Sequence, residues 1–171
     1  VAHIEGFLFR NQSFTLDPKW AGDVCHEILK RGLDISWLCE ARADQTSTNP
    51  LSTMARAGCK RIHYGVETGD PSLIMKAKSG VSLQTVSQAF SVARRYNIWR
   101  QAHIILGLPT ESQQSLENTL RFLLNLEPDS VAINYATPYP GTQLFHETRE
   151  EGLIDTRDWS RFSSFDIVLD V

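Results

Sequence analysis

Cysteine is scarce in this 171-residue chain: Cys25, Cys39 and Cys59 are the only three, separated by gaps of 14 and 20 residues. An odd count at that spacing fits neither a disulfide framework nor a zinc site. The three read as buried small hydrophobes, and a reducing cytoplasm is the expected compartment. Long apolar runs are also missing, since even Ile104 to Leu108 is broken by Gly107 and closed by Pro109. A bilayer span of about twenty residues is therefore excluded. Charge is nearly balanced, with 17 Lys and Arg against 20 Asp and Glu for a net −3, and no basic block. Nucleic acid is disfavoured as a partner on that ground. Neither Gly-x-x-x-x-Gly-Lys nor Gly-x-Gly-x-x-Gly occurs, so no phosphate-cradling loop announces itself. The first residues, Val1-Ala2-His3-Ile4-Glu5, lack an initiator Met and any signal pattern, and read directly into a strand. The expectation is a piece of a longer chain.

What is present is the balance of one globular domain spanning residues 1–171, with 42% apolar and 22% charged residues. Along the chain one unit recurs. Ala2 to Phe9 reads as a strand, and Asp17-Pro18 as a cap and first turn opening a helix. Trp20, Val24 and Ile28 form an apolar stripe on it, and Gly32 is its left-handed stop. Leu33 to Ala41, Arg61 to Val66, Trp99 to Leu108 and Ser130 to Tyr135 read as further strands. Between them, Asn49-Pro50 and Asp70-Pro71 repeat the cap and first-turn pair. Ser82 opens a helix bearing Leu83, Val86, Phe90 and Ala93. Thr110 with Gln113 reads as a capping box ahead of Leu116, Leu120, Leu123 and Leu124, and Glu127-Pro128 closes that helix. Gly58, Gly80 and Gly152 read as further helix stops. Repeats near thirty residues imply parallel strands joined by right-handed crossovers, an α/β class. Polar residues or glycine stand at each strand's C-terminal end: Asn11, then Glu40 and Arg42, then Glu67, Gly107 and Asn134. Active groups gathered on one rim are the habit of (β/α) barrels, and five strands make a partial one.

Four stretches taken in order resemble the radical SAM superfamily: Trp37-Leu38-Cys39-Glu40-Ala41-Arg42-Ala43-Asp44, Gly65-Val66-Glu67-Thr68-Gly69-Asp70, Gly107-Leu108-Pro109-Thr110-Glu111 and Thr137-Pro138-Tyr139-Pro140-Gly141-Thr142. Gly152-Leu153-Ile154 to Asp158-Trp159-Ser160 is similar to the cobalamin-binding branch typified by anaerobic magnesium-protoporphyrin IX monomethyl ester cyclases. The resemblance implies a partial (β/α)6 TIM-like barrel. In that family a [4Fe-4S] cluster reductively cleaves S-adenosylmethionine, and the resulting 5'-deoxyadenosyl radical takes hydrogen from a substrate. The family holds its cluster by Cys-x-x-x-Cys-x-x-Cys after the first strand, and this sequence contains no such triad. The chain then corresponds to strands two to six plus a C-terminal extension, with the cluster ligands upstream, no metal ligand of its own, and no activity expected alone.

Carried residue by residue, the resemblance makes Glu67 the partner of the cofactor's ribose, since a carboxylate accepts two hydroxyl bonds from a vicinal diol. A rim Glu beside Lys60 or Arg61 is the alternative. Arg42 faces the methionine carboxylate, or else pairs internally with Glu40 or Asp44; Glu40 orients it. Ile105 and Gly107 let adenine approach, and Asn134 to Thr137 meet it mostly through backbone groups. The family more often has Gly where Thr110 stands. Asn11, where relatives commonly carry Asp, joins His63 and His103 as substrate-facing candidates. Each histidine lies four residues before a rim position, so it points into the barrel, where a satisfied core histidine is the alternative. A small-molecule substrate, a flavodoxin or ferredoxin reductant and, through an upstream domain, cobalamin are the implied partners. Porphyrin ring closure, carbon methylation and methylthiolation all stay open. The bare edge of the first strand predicts self-association. The non-enzymatic alternative is a βα-repeat module that binds a nucleotide or a protein.

Overall fold

In the computed structural model, which describes residues 6–10, 13–46, 51–77 and 80–170, five parallel strands form one sheet in the order of the chain. The elements are β1 (Gly6–Phe9), α1 (Pro18–Lys30), β2 (Ser36–Ala41), α2 (Leu51–Arg56), β3 (Cys59–Glu67), α3 (Pro71–Ala77), α4 (Leu83–Arg95), β4 (Trp99–Leu106), α5 (Gln113–Leu126), β5 (Ser130–Tyr135) and α6 (Gln143–Glu150). Short 3-10 turns follow at Ala43–Gln45 and Trp159–Arg161. A strictly sequential order is that of a barrel wall, because a doubly wound sheet reverses its strand order at a switch point. Asn11 and the Asn49-Pro50 pair lie outside the described residues.

Alternation along the strands divides the sheet into two environments. Trp37, Cys39 and Ala41 of β2, Ile62, Tyr64 and Val66 of β3, and Ala102 and Ile104 of β4 are buried against the helices. There they meet Cys25 and Ile28 of α1, Leu51 and Met54 of α2, and Val86, Ala89, Phe90 and Ala93 of α4 in one core. The intervening residues face the opposite side, where the cavity lies.

The caps at Asp17, Asp70 and Ser82 form as their residue types dictate. Asp17 accepts from the Lys19 and Trp20 amides, Asp70 from those of Ser72 and Leu73, and Ser82 from that of Thr85. Gly32, Gly58, Gly80 and Gly152 all take left-handed φ as helix stops. Three local expectations are corrected. The buried face of α1 is Ala21, Cys25 and Ile28, while Trp20 stays substantially exposed and meets the Phe14 ring edge-on. The capping box of α5 is Ser112 with Ser115, because Thr110 takes a left-handed φ of 68° and an N-cap needs extended backbone. Leu116, Leu120 and Leu124 face outward, and Ser115, Thr119 and Leu126 are buried instead.

That last exchange has a tertiary cause. Thr119 Oγ1 accepts the Gly69 amide at 2.9 Å and sits 3.1 Å from Thr68 Oγ1, so α5 turns its small polar face toward the β3–α3 turn. A Cβ on Gly69 would lie 2.6 Å from Phe122 Cβ and 2.7 Å from Thr119 Cα. Glycine is required there by close approach.

Candidate functional site

The C-terminal ends of four strands, β2 to β5, converge on a cavity of about 530 Å3, within the range of small-molecule sites. Eight residues singled out from the sequence line it: Glu40, Arg42, His63, Glu67, His103, Ile105, Asn134 and Thr137. A larger cleft of about 1190 Å3 shares Arg42, Glu67, Ile105, Leu108 and Leu144 with it and opens between α3, the turn after β4, and α6. No helix among the described residues is long and apolar enough to cross a membrane, and no three His, Cys, Asp or Glu residues there are grouped to hold a metal.

Glu67 closes β3 where the pairing register with β4 shifts between Gly65 and Glu67, and its φ of 67° is left-handed. A non-glycine residue in that region costs on the order of 1–3 kcal/mol and persists only where its surroundings hold it. Burial of Val66 and Thr68 on either side fixes the backbone and leaves the Glu67 side chain on the rim of both cavities. Beside it, Asp70 accepts from Ser72, Leu73 and Asn118, and the Ser72 and Asn118 side chains above all hold its carboxyl down at about 2.

Arg42 forms a bidentate pair with Asp44, Nε to Oδ1 at 3.0 Å and Nη2 to Oδ2 at 2.8 Å. Of the two internal partners weighed for it, Asp44 is the one engaged among the described residues, where Arg42 lines the cavity with two of its five donors bonded. Glu40 stands beside His63 in the pairing of β2 with β3.

Gly107 does not line either cavity. Its amide donates to Glu111 Oε2 at 2.7 Å, and its φ of 77° with that of Thr110 shapes the turn presenting Leu108. Burial pushes the Glu111 carboxyl above its ordinary value, against the pull of the Gly107 amide. On β5 the backbone has fewer donors than the sequence suggested: the Tyr135 amide donates to Ser164 O and the Ala136 amide to Leu106 O. The Thr137 hydroxyl serves Tyr135 O and Ser163 O.

Sequence reasoning missed Glu111, Tyr139, Leu144 and Ser164. Glu111 and Tyr139 lay inside the quoted motifs. Ser164 carried no signal, because it arrives by the chain folding back along β5.

The Radical SAM superfamily model matches residues 7–123. The chain belongs to the radical SAM superfamily. It is 29% identical over 161 residues to an uncharacterized methyltransferase of Pyrococcus horikoshii, covering 94% of this chain and 35% of that protein. To the anaerobic magnesium-protoporphyrin IX monomethyl ester cyclase of Cereibacter sphaeroides it is 25% identical over 161 residues, covering 92% and 26%. Among solved structures, a radical S-adenosylmethionine methyltransferase from Kitasatospora setae, determined with cobalamin and a [4Fe-4S] cluster, superposes with a TM-score of 0.72 at 15% identity, over 90% of this chain and 30% of that one. The coproporphyrinogen III oxidase of Escherichia coli gives 0.71 at 17% identity, over 86% and 35%. The chain thus spans roughly a quarter to a third of the length of these proteins.

The family's two cofactors fare differently against these residues. A cluster needs thiolates. Cys25, Cys39 and Cys59 are buried on the helix side of the sheet, away from the cavity. Burial raises the Cys25 thiol to about 12, and a hydrogen bond with Cys59 together with burial pushes Cys39 up as well. They do not fit a cluster. S-adenosylmethionine does fit: a small-molecule cavity, a rim carboxylate on a constrained backbone and an apolar strand face at Ile105 meet in one place.

Proposed function

We propose that this chain is the S-adenosylmethionine-binding wall of a radical SAM active site, comprising strands two to six of a six-stranded partial barrel. The cluster-bearing βα unit is then upstream, pairing with the β1 edge, which has β2 alone as its neighbour among the described strands. When bound beside a reduced cluster, S-adenosylmethionine supplies hydrogen-abstracting radical chemistry. The chain's residues bind and orient it: Glu67 takes the ribose diol, Ile105 packs on adenine, Asn134 and Thr137 border the base, and Arg42, held by Asp44 and neighboured by Glu40, faces the methionine carboxylate.

The whole protein is an oxidative cyclase or methyltransferase on a small-molecule substrate, as the names of the relatives suggest. Reduction by a flavodoxin or ferredoxin in the cytoplasm and a cobalamin domain upstream complete this reading. Without the upstream unit, the open β1 edge lets the isolated chain self-associate. A non-catalytic βα module is not favoured, given the family membership.

The observation that carries the proposal is Glu67, a left-handed carboxylate residue at the mouth of the cavity. Charge-assisted hydrogen bonds contribute about 1.5–3 kcal/mol, so Glu67→Gln is expected to weaken S-adenosylhomocysteine binding roughly 10- to 100-fold. Isothermal titration of the full-length protein measures it. An unchanged affinity overturns the assignment.

A further inference from the structure

Two histidines remain outside the cofactor's needs. His63 of β3 and His103 of β4 sit side by side on the inward face, ring centroids 5.3 Å apart and planes tilted by 32°. The Nε2 atom of each is shielded from solvent and bonds to nothing among the described residues. Both rings line the cavity. Buried polar atoms are nearly always paired, so two orphans in one cavity mark unmet hydrogen-bonding capacity. A half-turn of either ring about Cβ–Cγ exchanges the positions of Nε2 and Cε1, which presents the nitrogen to a ligand.

The surroundings choose among ligands. Glu40 stands on the strand beside His63, and Gln101 faces it across β4. Arg61, two residues along β3, is turned onto the Trp99 ring at 5.4 Å, and Arg42 is held by Asp44. Neither guanidinium is aimed at the pair, while Glu67 and Asn134 lie above it on the rim. Burial, His103 and Arg61 together outweigh Glu40 and hold His63 below its ordinary value, which keeps the ring neutral near pH 7. A neutral imidazole has one N–H and one bare nitrogen. An anion at the pair would have Glu40 beside it, and the guanidinium that lines the cavity, Arg42, is bonded to Asp44. A neutral group that both donates and accepts finds its complement.

Resting on the reading of this cavity as a cofactor and substrate well, we infer that His63 and His103 form the substrate-docking floor, taking a neutral donor–acceptor group such as an amide or lactam. They are specificity determinants, distinct from the residues that hold the cofactor.

The test uses full-length protein with 13Cε1-labelled histidine and saturating S-adenosylhomocysteine. At pH 7.5, 2-pyrrolidinone, a neutral lactam, should shift the His63 and His103 ring signals saturably, whereas acetate at equal concentration should not. His63→Gln and His103→Gln assign the signals, and each should weaken the lactam response of the remaining ring three- to tenfold. Acetate shifting the rings as strongly as the lactam, or neither probe shifting them, overturns the inference. The double variant His63→Leu/His103→Leu should alter S-adenosylhomocysteine affinity less than threefold, against at least tenfold for Glu67→Gln. If the double variant instead loses the cofactor as Glu67→Gln does, the pair belongs to the cofactor site and this inference falls alone. If Glu67→Gln keeps full affinity, the cofactor reading falls while the lactam response is still read directly at the rings.

Discussion

Gly69→Ala puts the contact between α5 and the β3–α3 turn to a direct test. The added Cβ would lie 2.6 Å from Phe122 Cβ and 2.7 Å from Thr119 Cα. Neither atom belongs to a movable side-chain end, so no rotamer relieves the clash. Ordinary contact begins at 3.4 Å, and reaching it from 2.6 Å requires α5 to retreat by about 0.8 Å. Overpacking of this kind costs roughly 1–3 kcal/mol. The retreat also stretches the 2.9 Å bond from the Gly69 amide to Thr119 Oγ1, and a buried amide left unpaired costs about 1–3 kcal/mol more. Because Gly69 has no left-handed φ, alanine regains about 0.4–1 kcal/mol from the unfolded chain. The expected net loss is about 2–4 kcal/mol in urea unfolding. Gly22→Ala is the opposing control: that position lies inside α1 with nothing within 4 Å of an added Cβ, so stability should rise by about 0.5–1 kcal/mol. A Gly69→Ala protein within 0.5 kcal/mol of the parent would refute the claim that this approach shapes the rim beside Glu67.

Thr110 is β-branched and left-handed, a combination costing roughly 1–2 kcal/mol, so Thr110→Gly should raise the thermal midpoint by a few degrees; a fall would show that the side chain does more than tolerate the turn. Asp70, held near 2 against an ordinary 3.8, contributes about 2 kcal/mol above pH 4 that is lost as pH falls toward 2. Unfolding curves of the parent and Asp70→Asn should therefore converge below about pH 3, and parallel curves across that window would exclude the mechanism. Cys25, Cys39 and Cys59 should resist iodoacetamide at pH 8 in the native protein and react in denaturant, since burial keeps the Cys25 and Cys39 thiols protonated. Peptide mapping by mass spectrometry reads each site, and rapid native labelling of Cys25 or Cys39 would contradict their burial.

The order of strands and helices was legible because its signals are local. Asp17, Asp70 and Ser82 cap where short polar side chains precede a periodic run, and strand alternation alone brings Glu40, His63, Glu67, His103, Ile105 and Asn134 onto one face. The failures share a different origin. At α5, two cap candidates lay within three residues, and the choice fell to Ser112 only because Thr110 was already committed to the turn that Glu111 braces through the Gly107 amide. Leu116, Leu120 and Leu124 of α5 pointed outward because the helix passes close to Gly69 with Thr119 and Phe122 against it. Ser164 reached the cavity through a backbone bond to Tyr135 from nearly thirty residues downstream. In each case a polar contact set the outcome, the Ser112–Ser115 box, the Gly69 amide on Thr119 or the Tyr135 amide on Ser164, something hydrophobic periodicity does not encode. Those same contacts hold the strand ends that make the cavity. The site's supports were therefore harder to read than the site itself, and Gly69, Thr119 and Glu111 are where substitutions distant from any ligand should disturb cofactor binding most.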